Sequence, residues 1–104
     1  GKRPVLEISD YQPVTRDYAF IIDESQKIGE ILNFIKNTDK NLIRNVNLFD
    51  IYSGDKIEKG KKSIAISVTM QDDNKTLTEK DISDVSKLII EGARTKFSAY
   101  LREE

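Results

Sequence analysis

One stretch, residues 63–71, shows the strictest two-residue alternation of the chain. Four apolar side chains fall on one side of this pattern: Ile64, Ile66, Val68 and Met70. Four small or polar side chains fall on the other: Ser63, Ala65, Ser67 and Thr69. Because successive side chains of a β-strand point to opposite faces, this pattern predicts a strand with one buried and one free face. A sheet that contains this strand must bury only its apolar face against another layer of the fold.

Two segments with helical periodicity can supply that cover. The first covers about residues 27–38. Its apolar residues fall at i, i+3, i+4 and i+7 and form one stripe: Ile28, Ile31, Leu32 and Ile35. Ser25 or Asp23 is its expected N-cap. The second begins at Thr78. The sequence Thr78-Glu79-Lys80-Asp81 resembles a capping box with Asp in place of the usual Glu. Its expected buried stripe is Ile82, Val85, Leu88, Ile89, Ala93 and Phe97.

Three further strands are predicted, over residues 14–22, 44–53 and 98–102. The order strand, helix, strand, strand, helix, strand predicts a ferredoxin-like βαββαβ sandwich. This is an α+β fold in which two helices cover one face of a four-stranded antiparallel sheet. Right-handed crossovers place the first and third strands at its centre. Residues 1–12 are interpreted as a lead-in from an upstream part of the chain, and residues 13–104 as a single domain.

Composition excludes several kinds of function. Cysteine and histidine are absent, so disulfides and thiol chemistry are excluded, and the commonest general base and metal ligand is missing. No glycine-rich phosphate loop occurs, and no apolar stretch approaches the ~20 residues of a membrane span. A net charge of −1 argues against a nonspecific coat on nucleic acid. These features favour a cytoplasmic binding domain without a cofactor or a membrane partner.

The free sheet face is expected to carry an acid beside an aromatic ring. Strict alternation places Leu48, Asp50 and Tyr52 on this face and Phe49 and Ile51 on the opposite one. The other strands are expected to add Ala19, Ser63, Ala65, Ser67, Tyr100 and Arg102. A nucleobase can stack on tyrosine, and a carboxylate can accept the two adjacent N–H donors of guanine, whereas adenine offers an acceptor there.

Other interpretations of these residues stay open. Asp50 is also compatible with a solvated position on a water-facing strand, and Tyr52 with a protein interface. A soluble turn is the simpler explanation of the lysines after Gly54, with phosphate contact as the alternative: Lys56, Lys59, Lys61 and Lys62. For the whole domain, the alternatives are an amino-acid-binding regulatory domain and a protein-docking domain of the same topology. The lack of a glycine-rich turn after the first strand argues against the former.

Short motifs along the chain resemble those of a known family. They are Pro13-x-x-x-Arg16-Asp17-x-Ala19-Phe20, Leu48-Phe49-Asp50-x-Tyr52-x-Gly54, Lys62-Ser63-x-Ala65, Thr76-Leu77-Thr78 and Leu101-Arg102. In their order and spacing they resemble the ferredoxin-fold anticodon-binding domain, which is the C-terminal domain of the bacterial phenylalanyl-tRNA synthetase β chain.

The resemblance implies both a function and a site. Domains of this family bind the anticodon stem-loop of phenylalanine tRNA. Its first base, a guanine, would stack on Tyr52 and bond to Asp50, with Ser63 and Ala19 completing the pocket. Arg16 takes the position of a family arginine, which implies a contact with the RNA backbone. The resemblance also implies that catalysis, ATP and magnesium belong to the α chain of an α2β2 ligase, so that the fragment alone has no catalytic residue.

Overall fold

The computed structural model of the protein describes residues 11–102. The lead-in predicted for residues 1–12 therefore lies almost entirely outside the described residues. The elements are, in chain order, β1 (Val14–Asp23), α1 (Ile28–Lys36), β2 (Ile43–Tyr52), β3 (Lys61–Met70), α2 (Glu79–Phe97) and β4 (Tyr100–Leu101). This order confirms the predicted βαββαβ fold.

The four strands form one sheet in the order β2-β3-β1-β4, with every neighbouring pair antiparallel. The prediction that the first and third strands are central is confirmed. Their register runs without a break from Val14 opposite Met70 to Asp23 opposite Lys61. Because the side-chain period of a strand is two, this register assigns every residue of both strands to one face or the other.

The two helices cover one face of the sheet. The core combines buried helix residues, Ile31, Ile35, Ile82, Val85, Ile89 and Ala93, with buried strand residues, Tyr18, Phe20, Ile22, Ile64, Ile66, Val68 and Met70. Burial of each large aliphatic side chain contributes about 1.5–3 kcal/mol. The prediction that Leu88 belongs to the buried stripe is wrong, since it is 52% exposed. At 100° per residue its position lies about 120° around the helix from the centre of the stripe.

The start of α2 confirms the predicted capping box. The Thr78 hydroxyl accepts a hydrogen bond from the Asp81 backbone N–H at 3.1 Å, and the Asp81 carboxylate accepts one from the Thr78 N–H at 2.9 Å. Two N–H groups that the first helical turn leaves unpaired are thereby satisfied.

The start of α1 differs from the prediction. Its N-cap residue is Lys27, without a capping side-chain hydrogen bond, so neither Ser25 nor Asp23 has the predicted role. A turn precedes the helix, in which the Gln26 backbone N–H donates to the Asp23 carbonyl at 3.0 Å. This turn shifts the helix start beyond the polar residues that pattern reasoning favoured.

The helices approach each other closely at Gly92. A methyl group there would collide with the ring of Phe34 on α1. That ring also lies edge-on to Phe97, with the centroids 5.8 Å apart, and Lys96 Nζ lies 5.7 Å from its centroid. Only glycine allows this ring to lie directly against the α2 backbone.

A β-bulge interrupts β2 between Leu48 and Asp50. Leu48 lies opposite Ile66 and Asp50 lies opposite Ala65, which leaves Phe49 as the extra residue. Leu48 consequently faces the helices, where it is partly buried against the core. The prediction that Leu48 shares the free face with Asp50 is wrong, because strict alternation does not allow for an inserted residue.

Candidate nucleic-acid interface

Two rows of side chains cross the face of the sheet that the helices leave uncovered. Register neighbours form the first row: Asp50, Ala65 and Ala19. Register neighbours also form the second: Tyr52, Ser63, Ile21 and Tyr100. Directly opposed residues share a face, with Cβ atoms about 5 Å apart. The structure therefore brings four predicted site residues together: Ala19, Asp50, Tyr52 and Ser63.

Arg16, the fifth predicted site residue, lies on the opposite face. It is paired with Val68, whose side chain is in the core. Its guanidinium lies 3.7 Å from the carboxylate of Glu79 at the start of α2, and such an exposed pair adds little stability. The implied contact of Arg16 with an RNA backbone stays a prediction, and it would take place on a different surface from the other four residues.

A cleft of about 630 Å³ opens beside the first row and is lined by Ala19, Asp50, Ser63 and Ala65. The two alanines form its floor because neither side chain extends beyond Cβ. Phe49 also lines this cleft and is 53% exposed. Pattern reasoning placed Phe49 on the opposite face and so missed it. The bulge that puts it here leaves no mark in the alternation of the sequence.

Two polar groups in this cleft are available to a ligand. Within residues 11–102, the exposed Asp50 carboxylate makes no hydrogen bond or ion pair. Ser63 is only 4% exposed, and its hydroxyl also has no partner in the described part of the chain. The nearby Asp17, in contrast, accepts a hydrogen bond from Ser67 Oγ at 2.6 Å. A buried hydroxyl without a partner is unfavourable until water or a ligand satisfies it.

Arg102 reaches across this floor to the ring of Tyr52. Its backbone N–H donates to the Ala19 carbonyl at 2.7 Å, which holds the residue beside β1. Its guanidinium carbon lies 5.6 Å from the centroid of the Tyr52 ring on β2. A cation–π contact at an exposed site contributes about 0.5–1 kcal/mol. The expectation that Arg102 joins this face agrees with its position, but its contact with Tyr52 was not predicted.

The turn after β2 supports the tyrosine. A Cβ atom at Gly54 would lie 2.9 Å from the Tyr52 hydroxyl oxygen. The glycine thus lets the backbone of the turn come directly against the phenol group. The Tyr52 side chain is thus contacted both by this turn, at its phenol end, and by Arg102.

The loop between β2 and β3 folds over one end of the uncovered face. Ile57 from this loop and Ile21 from β1 are both buried, yet neither belongs to the main core. The end of the loop is anchored to the end of β1. Lys61 donates to Asp23 Oδ1 at 2.7 Å, and Lys62 Nζ donates to the Glu24 carbonyl at 2.8 Å. The hydrogen bond to Asp23 raises the pKa of Lys61 above its ordinary value.

Residues 11–102 contain neither a candidate membrane span nor a candidate metal site. Neither helix of this part is both long and apolar enough to cross a membrane. The same residues bring together no group of three or more carboxylate, histidine or cysteine side chains that could hold a metal ion.

Comparison with known proteins gives a family match over most of the chain. The profile of the ferredoxin-fold anticodon binding domain matches residues 9–102. The phenylalanine–tRNA ligase beta subunit of Rickettsia prowazekii (strain Madrid E) is 50% identical over 103 residues, which are 99% of this chain and 13% of that protein. The beta subunit of Rickettsia bellii is 53% identical over 103 residues, 99% of this chain and 12% of that protein.

A relative with lower sequence identity is covered to a similar extent. The phenylalanine–tRNA ligase beta subunit of Bradyrhizobium diazoefficiens is 45% identical over 100 residues, 96% of this chain and 12% of that protein. The chain thus spans 12–13% of the length of these relatives. With the matching fold and the matching profile, this chain belongs to the ferredoxin-fold anticodon-binding domain family.

Proposed function

We propose that the uncovered sheet face binds the anticodon stem-loop of phenylalanine tRNA and that Asp50, Tyr52 and Ser63 hold its first base, a guanine. The observation that carries this proposal is the Asp50 carboxylate, which has no partner within residues 11–102 and shares a face with the exposed ring of Tyr52. The anticodon-binding description of the family supports an RNA ligand.

A guanine stacked on Tyr52 would present its Watson–Crick edge to Asp50. Residues two apart on a strand emerge about 7 Å apart, so a flat base lying on the ring can extend its edge to the carboxylate. Guanine carries two adjacent N–H donors on that edge, and the two carboxylate oxygens accept both. Adenine would turn a ring nitrogen acceptor toward a carboxylate oxygen. Asp50 therefore favours guanine.

Ser63 and the alanine floor complete the seat for the base. Ser63 lies directly opposite Tyr52, and its buried hydroxyl can donate to a polar atom of the base. Ala19 and Ala65 leave the space above the sheet open, which a larger side chain would fill. The small size of these two residues thus belongs to the site as much as the polar groups do.

Arg102 covers part of the Tyr52 ring in the free domain, so we expect an arriving base to displace its guanidinium. The exchange gives up a cation–π contact of about 0.5–1 kcal/mol for stacking worth about 1–3 kcal/mol per base. The backbone hydrogen bond to Ala19 keeps the displaced guanidinium near the bound RNA, where it can pair with a phosphate.

We further infer that the domain serves a phenylalanine–tRNA ligase beta subunit in the cytoplasm, beside an α chain in an α2β2 assembly. The relatives bear the beta-subunit name, and this chain matches 12–13% of their length. Phenylalanine activation with ATP and magnesium would then belong to the rest of that assembly. We expect weak RNA affinity for the domain alone, because the anticodon is one part of a larger tRNA surface.

An NMR titration tests the proposal. The ¹⁵N-labelled chain is titrated with an anticodon stem-loop whose first anticodon base is guanine and, as a control, with one that has adenine there. We expect the guanine stem-loop to shift the signals of Asp50, Tyr52 and Ser63 more strongly. Shifts confined to the helix termini, or seen only on addition of phenylalanine, would contradict the proposal and favour an amino-acid-binding regulatory domain.

A further inference from the structure

A second cleft, of about 790 Å³, runs around the edge of β4. Residues of β1, α2 and the β2–β3 loop line it together with Tyr100, Leu101 and Arg102. Leu101 and Arg102 also line the first cleft, so the two clefts share a wall. A strand of RNA seated in the first cleft can therefore continue into the second without leaving the surface.

The second cleft has an excess of cations. Lys56, Arg94 and Arg102 line it, against the single carboxylate of Glu58. Within residues 11–102, the side chains of Lys56 and Arg94 make no hydrogen bond or ion pair. This distinguishes Lys56 from Lys61 of the same region, which is bonded to Asp23. Local cations without partners attract an anion even in a chain of net charge −1.

The cleft also contains an exposed aromatic ring. Tyr100 is 45% exposed and belongs to the same row across the sheet as Tyr52. Three strand spacings separate the two residues, about 14 Å. Ile21 and Ile57, buried outside the main core, add an apolar lining to this cleft. An aromatic ring beside unpaired cations suits an unstacked base together with its phosphate.

We propose that this second cleft binds another nucleotide of the same RNA loop, with its base on Tyr100 and its phosphate between Arg94 and Lys56. This inference rests on the proposed function and extends it from one base to a path along the sheet. It also gives Lys56 a specific role, contact with a phosphate, which the composition of the loop does not indicate.

The phosphate contact is tested by charge removal in the 104-residue chain. Binding of the guanine stem-loop is measured by NMR titration at several salt concentrations for Arg94→Gln, Lys56→Gln and the control Lys87→Gln, an exposed lysine of α2 outside both clefts. We expect each cleft variant to weaken binding severalfold and to lower the slope of log affinity against log salt by about 0.7. The control should change neither. Equal effects of all three would overturn the phosphate contact.

The stacking contact is tested at Tyr100. Because this side chain is exposed, its replacement leaves the core intact. We expect Tyr100→Leu to weaken binding of the stem-loop about fivefold or more, and Tyr100→Phe, which keeps the ring, to bind as the original chain does. Tyr100→Leu binding as tightly as Tyr100→Phe would overturn the stacking contact.

The same titrations separate this inference from the function on which it rests. If the Arg94, Lys56 and Tyr100 variants bind like the original chain while Asp50→Asn loses its preference for guanine, the second cleft is not a nucleotide site and the proposed function stands. If the original chain itself binds guanine and adenine stem-loops equally, the proposed function fails and this inference fails with it.

Discussion

The guanidinium of Arg102 lies 5.6 Å from the centroid of the Tyr52 ring, although the two residues belong to opposite edges of the sheet. Arg102 follows β4 at one edge, and Tyr52 ends β2 at the other. In the free domain the Arg102 side chain therefore extends across the two alanines, Ala19 and Ala65, that lie between these edges. It links the last described residue of the chain to the ring on which we expect the base to stack.

A double-mutant cycle measures this link. We expect Arg102→Ala and Tyr52→Leu to show a coupling free energy of unfolding of about 0.5–1 kcal/mol, the range of exposed cation–π contacts. Arg94→Ala with Tyr52→Leu is the control cycle, since Arg94 has no ring partner in the described residues. Chemical denaturation gives all of these values. Equal coupling in the two cycles would show that the Arg102 contact contributes nothing specific.

Gly92 is predicted to be essential for the packing of the helices. Gly92→Ala should lower the free energy of unfolding by about 1–3 kcal/mol, because the added methyl group must displace the Phe34 ring. Gly29→Ala on α1 is the matched control. Apart from its chain neighbours and the backbone of its own helix, no described atom lies within 4 Å of its added Cβ, so helix propensity should leave it neutral or more stable. Thermal unfolding that ranks the two variants equally would contradict the described contact.

The bulge in β2 predicts opposite roles for two adjacent apolar residues. Leu48→Ala should lower the free energy of unfolding by about 2 kcal/mol, since Leu48 packs against the core. Phe49→Ala should change it by less than about 0.5 kcal/mol, because its ring is half exposed. Denaturant unfolding of both variants decides between the bulge and strict alternation, which would give the reverse order.

The cap of α2 predicts a dependence of stability on pH. The hydrogen bond from the Thr78 backbone N–H, followed by the bond from Lys75, holds the pKa of Asp81 below its ordinary value. The stabilisation is therefore complete above the ordinary carboxyl pKa, about 4, and is lost as the pH falls through the lowered value. Asp81→Asn should flatten the acid side of the stability profile, measured by denaturation between about pH 2 and 6.

Thr78→Ala checks the same cap at neutral pH. Removal of the hydroxyl that accepts from the Asp81 N–H should lower the free energy of unfolding by about 1 kcal/mol. Thr95→Ala is a suitable control on the same helix, since its hydroxyl bonds only to the carbonyl of Glu91 within the helix. If Thr95→Ala is the more damaging change, the capping box is not what stabilises this end.

Much of the fold was predictable because long, regular patterns determine it. The alternation of β3 and the capping box of α2 are local features that tertiary contacts did not override. The exceptions are Leu48, Leu88 and the start of α1, where Lys27 takes the N-cap position. An inserted residue at Phe49 reverses the face of Leu48, and Leu88 lies about 120° around α2 from the centre of the stripe, on the exposed side of the helix.

The sequence indicated which four candidate residues share the uncovered face, but not the contacts around them. Asp50, Tyr52, Ser63 and Ala19 lie together because three adjacent strands are in register. Arg16 was chosen from the family motif alone, and its register partner Val68 places it on the helix-covered face of the sheet. The contact between Arg102 and Tyr52 depends on the path of one long side chain across two strands, which no local pattern records.

The proposed contact between the Asp50 carboxylate and the edge of one base can be measured with three stem-loops. Dissociation constants are measured for stem-loops that carry guanine, inosine or adenine as the first anticodon base, with Asp84→Asn on the outside of α2 as the charge-matched control. Inosine lacks the 2-amino donor, and a hydrogen bond to a charged group is worth about 1.5–3 kcal/mol, so we expect the original chain and the control to prefer guanine about tenfold or more. Asp50→Asn should lose this preference, because its amide presents one acceptor and one donor in place of the two acceptors that guanine requires. A guanine preference that survives in Asp50→Asn would contradict the proposal that this carboxylate reads the base.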